Sequence, residues 1–172
     1  MDYDYNFGND YYKYDGSIGI KSTVYNILAP EQSQDDQPGM EYLMDPLPIF
    51  DNPNYKGSGK LKGKVAIITG GDSGLGRACS IAYVKEGAKV VIVYYDEDRD
   101  AFDTEDYIKS LGGECFLIRG DITDHGFCKF VVDETISRYG QIDILVNNAG
   151  VQYQQDSLEC ISDEQLDWTF KV

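Results

Sequence analysis

Leu61 marks a change in how apolar and polar positions follow one another along this chain. Before it, no stretch sustains the alternation of a half-buried strand or the spacing of an amphipathic helix. After it, short apolar runs alternate with longer helical patterns. Val65–Thr69 reads Val-Ala-Ile-Ile-Thr, bounded by glycine, and predicts a buried strand. A glycine-rich turn follows, then a helix to about Glu86 with Gly87 as its C-cap. Lys89–Tyr95 predicts a second strand, followed by a helix to about Leu111. Glu114–Arg119 predicts a third. The next helix, from about Asp124 to Tyr139, places Cys128, Val131, Val132, Thr135, Ile136 and Tyr139 on one face. Ile142–Val146 predicts a fourth strand, and Ser162 with Gln165 forms a capping-box signal for a helix starting near Asp163. Strands that are apolar throughout and alternate with helices imply a parallel sheet covered on both faces. Right-handed crossovers then give an α/β, Rossmann-like doubly wound layout, truncated here after the fourth strand.

The first 60 residues hold all five prolines. Residues 1–37 open with Tyr3, Tyr5, Tyr11, Tyr12 and Tyr14 among Asp, Asn and Gly. A segment of that composition buries too little to offset its chain entropy, so a disordered, non-globular extension is expected. An arm that packs its tyrosines on a neighbouring subunit is the alternative. In residues 38–60 the prolines disfavour helix, while Met40, Tyr42, Leu43, Met44, Leu47, Ile49 and Phe50 supply apolar surface. This segment is expected to lie extended against the folded domain, with Gly57-Ser58-Gly59 as the hinge. Residues 61–172 form the domain itself.

Charge narrows the range of partners. A formal net charge of -15 over 172 residues repels phosphate backbones and anionic lipids, which argues against nucleic acid and membrane as partners. The N-terminus has neither the basic start nor the apolar core of a secretory signal. Cys79, Cys115, Cys128 and Cys160 are widely spaced and form no C-x-x-C pair. They are expected to be reduced, mostly buried thiols of a cytoplasmic protein, with no zinc site. His125, the sole histidine, reads as a solvated residue at a helix start. The acidic run from Asp96 to Asp106 reads as a wet helix face rather than a metal site.

Three short motifs carry the chemistry. Thr69-Gly70-Gly71-Asp72-Ser73-Gly74-Leu75-Gly76 lies between the first strand and first helix, with the spacing G-x-x-x-G-x-G. Small residues there let the backbone turn sharply and approach a pyrophosphate, whose charge faces the helix N-terminus. Gly120-Asp121-Ile122 ends the third strand, and a carboxylate at the carboxyl edge of a parallel sheet borders the ligand crevice. Asn147-Asn148-Ala149-Gly150 closes the fourth strand, where paired amides can bridge the backbones of neighbouring strands.

In this order and spacing, the three motifs resemble the short-chain dehydrogenase/reductase family over about Leu61 to Val172. The stretch Asn54–Lys64, after Pro48-Ile-Phe-Asp51, resembles its bacterial glucose/ribitol-dehydrogenase-like branch. The resemblance implies that Gly70, Gly74 and Gly76 cradle the pyrophosphate, with Asp72, Ser73 and Leu75 in the same loop. It places Asp121 and Ile122 beside the adenine, and Asn147, Ala149 and Gly150 on the ribose–nicotinamide side. At the end of the second strand, Tyr94 stands where the family usually has an acid, with Asp96 two residues on. That acidic neighbourhood makes a poor phosphate pocket, so NAD is expected over NADP.

The resemblance also implies an active site of Tyr-x-x-x-Lys, Ser and Asn, in which tyrosine acts as general acid/base. None of the fourteen tyrosines has lysine four residues on, so no catalytic residue is assigned. The expected function is NAD(P)-dependent interconversion of a small alcohol and its carbonyl form. This chain would be the N-terminal fragment that supplies cofactor binding and would be inactive alone, and homo-oligomers are expected only at full length. The alternative is a non-catalytic dinucleotide-binding or interaction protein made as a short product.

Overall fold

The structure, a computed structural model, describes Gln34 and residues 38–172. The expectations for the tyrosine-rich extension lie outside the described residues. Four parallel strands form one sheet: β1 (Val65–Thr69), β2 (Lys89–Tyr94), β3 (Cys115–Arg119) and β4 (Ile144–Val146), in the order β3-β2-β1-β4. Helices α1 (Gly74–Lys85), α2 (Asp98–Ser110) and α3 (His125–Tyr139) connect them, and α4 (Asp163–Lys171) follows. This is the Rossmann-like arrangement, with the order reversing between β1 and β4. The elements agree with the hydrophobic pattern to within one or two residues at their ends. α4 carries the full capping box, Ser162 accepting from the Gln165 N–H and Gln165 accepting in return.

Strand alternation sorts the core into two layers. Ala66, Ile68, Val90 and Ile92 face one way and pack with Ile81, Val84 and Ile108 of α1 and α2. Ile67, Val91 and Val93 face the other way and pack with Ile118 and with Val131 of α3. Each fully buried isoleucine or valine contributes about 1.5–3 kcal/mol relative to exposure, so this layering holds the strand ends in register. The second layer is thinner. Val131 and Thr135 are buried, but Val132 and Ile136 are 46% and 45% exposed and Cys128 is exposed. The expected apolar face of α3 is therefore only partly used.

Residues 38–60 touch the domain at three places. A 3-10 turn at Glu41–Leu43 meets Asp100 of α2, which accepts from the Glu41 N–H at 2.7 Å and the Tyr42 N–H at 3.1 Å. Phe50 packs edge-on to Tyr107 with Arg77 3.8 Å above its ring, and Asp51 accepts from Lys85 and from Tyr107 Oη. Glu86 accepts from Tyr55 Oη, from the Ser58 N–H at 3.0 Å and from the Lys60 N–H at 2.9 Å. All four cysteines are free thiols, and Cys128 and Cys160 are exposed. No helix among the described residues is long and apolar enough to cross a membrane.

Candidate functional site

A cavity of about 330 Å³ opens at the carboxyl ends of the strands, where parallel α/β sheets hold ligands. Its floor is the turn after β1. Gly70 adopts φ +61° and donates its N–H to Val93 O at 2.7 Å, tying the turn to β2. Gly74 opens α1 at φ +49°, a conformation that a side chain strains. Gly76 answers a different need, because a Cβ there would stand 1.8 Å from Gly70 O and 2.6 Å from Asn148 Nδ2. Helix α1 thus rests directly on the turn. Ser80 Oγ fastens the two together, donating to Gly76 O or to Gly71 O.

On the β4 side, Asn148 donates through Nδ2 to Thr69 O at 3.0 Å and Gly70 O at 2.9 Å. The Asn148 and Ala149 N–H groups donate in turn to Thr69 Oγ1. Four hydrogen bonds therefore stitch β4 to the turn, and the threonine hydroxyl takes up the two N–H groups that strand pairing leaves over.

The β2 side of the cavity is acidic. Asp72 and Glu97 line it while only 2% and 4% exposed. Burial, and after it the neighbouring Glu97 carboxylate, push Asp72 up to about 7 from an ordinary 3.8. Its Oδ2 is buried without a hydrogen-bond partner. Thr104 of α2 donates to Asp72 O at 2.6 Å and holds this part of the loop in place. Tyr94 donates to Asp98 at 2.9 Å, and burial with that bond pushes its phenol up to about 12. The two arginines nearby are engaged: Arg119 pairs with Asp98 at 2.9 Å, and Arg99 stacks on Tyr42 at 4.2 Å. Among the described residues, the lining includes no lysine, arginine or histidine.

Gly70, Asp72, Ser73, Gly74, Leu75, Tyr94, Asp121, Ile122, Ala149 and Gly150 all line this one cavity. Gly76, Asp96 and Asn147 do not. Gly76 is the seat of α1, as its contacts show. Asp96 is exposed, and the next residue, Glu97, turns inward and accepts from the Asp96 N–H. Asn147 is exposed, while its neighbour Asn148 bridges to β1. In both pairs the acid or amide was visible in the sequence, but which neighbour points inward is set by the turn that follows the strand. Missed altogether were Pro38 and Trp168, which border the cavity from segments carrying no ligand-like signal. The acidic run is not uniformly wet either. Asp100 is 1% exposed because it serves the backbone of residues 41 and 42. Among the described residues no three His, Cys, Asp or Glu side chains gather in a metal-holding group.

Comparison with known proteins adds independent findings. The profile of the family described as short chain dehydrogenase matches residues 64–172. General stress protein 39 of Bacillus subtilis is 51% identical over 148 residues, which cover 86% of this chain and 52% of that protein. Glucose and ribitol dehydrogenase of Daucus carota is 41% identical, covering 83% and 51%. NADPH-dependent aldehyde reductase 1, chloroplastic, of Arabidopsis thaliana is 40% identical, covering 85% and 53%. A crystal structure of a short chain dehydrogenase from Mycobacterium smegmatis superposes with a TM-score of 0.64 at 32% identity, covering 72% of this chain and 52% of that one. The chain spans about half the length of the curated relatives it matches.

Proposed function

Because this chain belongs to the short-chain dehydrogenase family, we propose that its cavity is the adenosine and pyrophosphate half of a nicotinamide-dinucleotide site serving alcohol–carbonyl interconversion. One observation carries the reading: a glycine turn that seats a helix N-terminus on a cavity lined by acidic side chains and, among the described residues, by no cation. The residues present fit the group. The first turn of α1, beyond the Gly74 N–H that Glu41 takes up, offers the positive end of the helix dipole to a pyrophosphate. The partnerless Asp72 Oδ2 suits a ribose hydroxyl, which is a donor. Ile122 supplies an apolar surface for the adenine and Asp121 a hydrogen-bond acceptor beside it. Its Oδ1 already accepts from the Thr123 N–H at 2.8 Å, which fixes the carboxylate in place. Ala149 and Gly150 carry the cavity on towards the nicotinamide side.

When bound, the nicotinamide ring supplies or accepts a hydride. The part played by these residues is to orient the dinucleotide and exclude water around its adenosine end. No proton-transfer residue is assigned to this chain, whose tyrosines include no Tyr-x-x-x-Lys pair.

NAD is the proposed dinucleotide. A 2′-phosphate at this end would meet Glu97, and the charged form of Asp72 as well once pH exceeds about 7, with no lysine, arginine or histidine among the described lining residues to offset them. The test is a calorimetric titration with NAD and NADP in parallel. NAD is expected to bind at least about tenfold more tightly, one like-charge contact being worth that much. Gly74→Asp is expected to abolish NAD binding while the far-UV circular dichroism stays similar. Unchanged NAD affinity in Gly74→Asp would sink the pyrophosphate assignment, and tighter binding of NADP would overturn the choice of dinucleotide.

A further inference from the structure

The glycine turn is gripped from outside the domain. Glu41, in the 3-10 turn of the segment preceding β1, is 5% exposed. Its Oε2 accepts from the Gly74 N–H, the first residue of α1, and its Oε1 accepts from Arg77 Nη1 at 2.7 Å, one turn along the same helix. The Glu41 backbone is fixed in turn by Asp100 of α2 at 2.7 Å, and Arg77 is sandwiched against Phe50 of the same segment. Pro38, three residues upstream, borders the cavity itself.

Local chemistry explains the arrangement. Gly74 sits at φ +49°, and Ser73, the N-cap residue, makes no side-chain cap bond, so the helix does not satisfy its own first N–H groups. A carboxylate brought from residue 41 does this instead. Arg77 balances its charge in a buried place, which keeps the carboxylate from cancelling the helix dipole as seen from the cavity.

We propose that Glu41 is a positioning residue for dinucleotide binding: by bonding the Gly74 N–H and Arg77 together it holds the glycine turn in its ligand-ready shape. This rests on the dinucleotide reading above. Residues 38–41 are then a functional part of the site wall: Pro38 borders the cavity, and the Glu41 carboxylate acts on the turn without touching the ligand.

The experiment compares three variants of the full chain. Glu41→Ala is expected to raise the dissociation constant for NAD about tenfold, the effect of losing one charge-assisted hydrogen bond to the turn. Glu41→Gln keeps an acceptor oxygen for the Gly74 N–H and is expected to recover most of that affinity. Asp51→Ala loosens the same segment at Lys85 and Tyr107, away from the turn, and is expected to lower the melting temperature while NAD affinity changes little. Equal losses of affinity in Glu41→Ala and Asp51→Ala, or no loss in Glu41→Ala, would overturn the proposal. Hydrogen exchange at the Gly74 amide needs no ligand and is expected to speed up in Glu41→Ala and not in Asp51→Ala. If wild-type protein fails to bind NAD, the dinucleotide reading falls, whereas the exchange rate still decides whether Glu41 holds the turn.

Discussion

At the scale of single residues, Asp72 is the most exposed to test. Its carboxyl is raised by burial and by Glu97 from 3.8 to about 7, so it holds its proton in the folded chain at a pH where the unfolded chain has lost it. The contribution to stability is complete below pH 3.8 and is lost as pH rises through about 7. Asp72→Asn keeps the shape without the charge. It is expected to flatten the fall in stability between those limits and to raise stability at pH 8 by as much as about 4 kcal/mol, measured by urea unfolding across pH. A variant whose pH profile matches wild type would place the titrating proton elsewhere, with Asp100, which burial also raises, as the next group to examine. The glycines of the turn and the Asn-Asn pair were legible in the sequence because they need particular backbone geometry at fixed spacing. Whether Asp96 or Glu97, or Asn147 or Asn148, turns inward was not legible. Adjacent residues leave a strand end on opposite sides, so one residue of register exchanges their roles.

At the scale of elements, residues 38–60 lie as a strap across α1 and α2. Glu86, at the C-cap of α1, gathers Tyr55 Oη and two N–H groups, and these bonds hold its carboxyl down at about 2. A lowered carboxyl contributes stability that is present above its ordinary value of 4.5 and is lost as pH falls towards 2. Glu86→Gln is therefore expected to lower the melting temperature at pH 7 and to weaken the further loss on acidification through that window. Scanning calorimetry at neutral pH, at the ordinary value of 4.5 and again well below it checks this. If the wild-type and variant curves stay parallel through that range, Glu86 is not what fastens the strap. The helices and strands were legible because their apolar periodicity is local. The anchoring of the strap was not, because Asp51, Glu86 and Asp100 look like any surface acid until the strap and α2 are brought together.

At the scale of the whole molecule, one side of the sheet is less covered than the other among the described residues. There β4 ends the sheet, Leu145 is 58% exposed, and Phe130, Val132 and Ile136 of α3 are each 45% exposed or more. An open strand edge beside apolar side chains is a template for pairing with another chain. Residues 1–172 expressed alone are expected to self-associate with rising concentration despite a net charge of -15, and Leu145→Lys to reduce this. Sedimentation velocity over a concentration series reads it, and a concentration-independent monomer would count against the exposed face. The alternation of buried strands with helices, the glycine turn and the order of the three motifs by themselves determined the α/β class and the parallel sheet with the motifs at its carboxyl edge. Those features are local, since periodicity and turn chemistry act within a few residues. Only the tertiary structure decided which neighbour faces the cavity, that acids of α2 are buried, and that Glu41 reaches Gly74 from 33 residues away. Such contacts depend on how separate segments meet, and a carboxylate's hydrogen-bond partners leave no periodic trace in the chain that carries it.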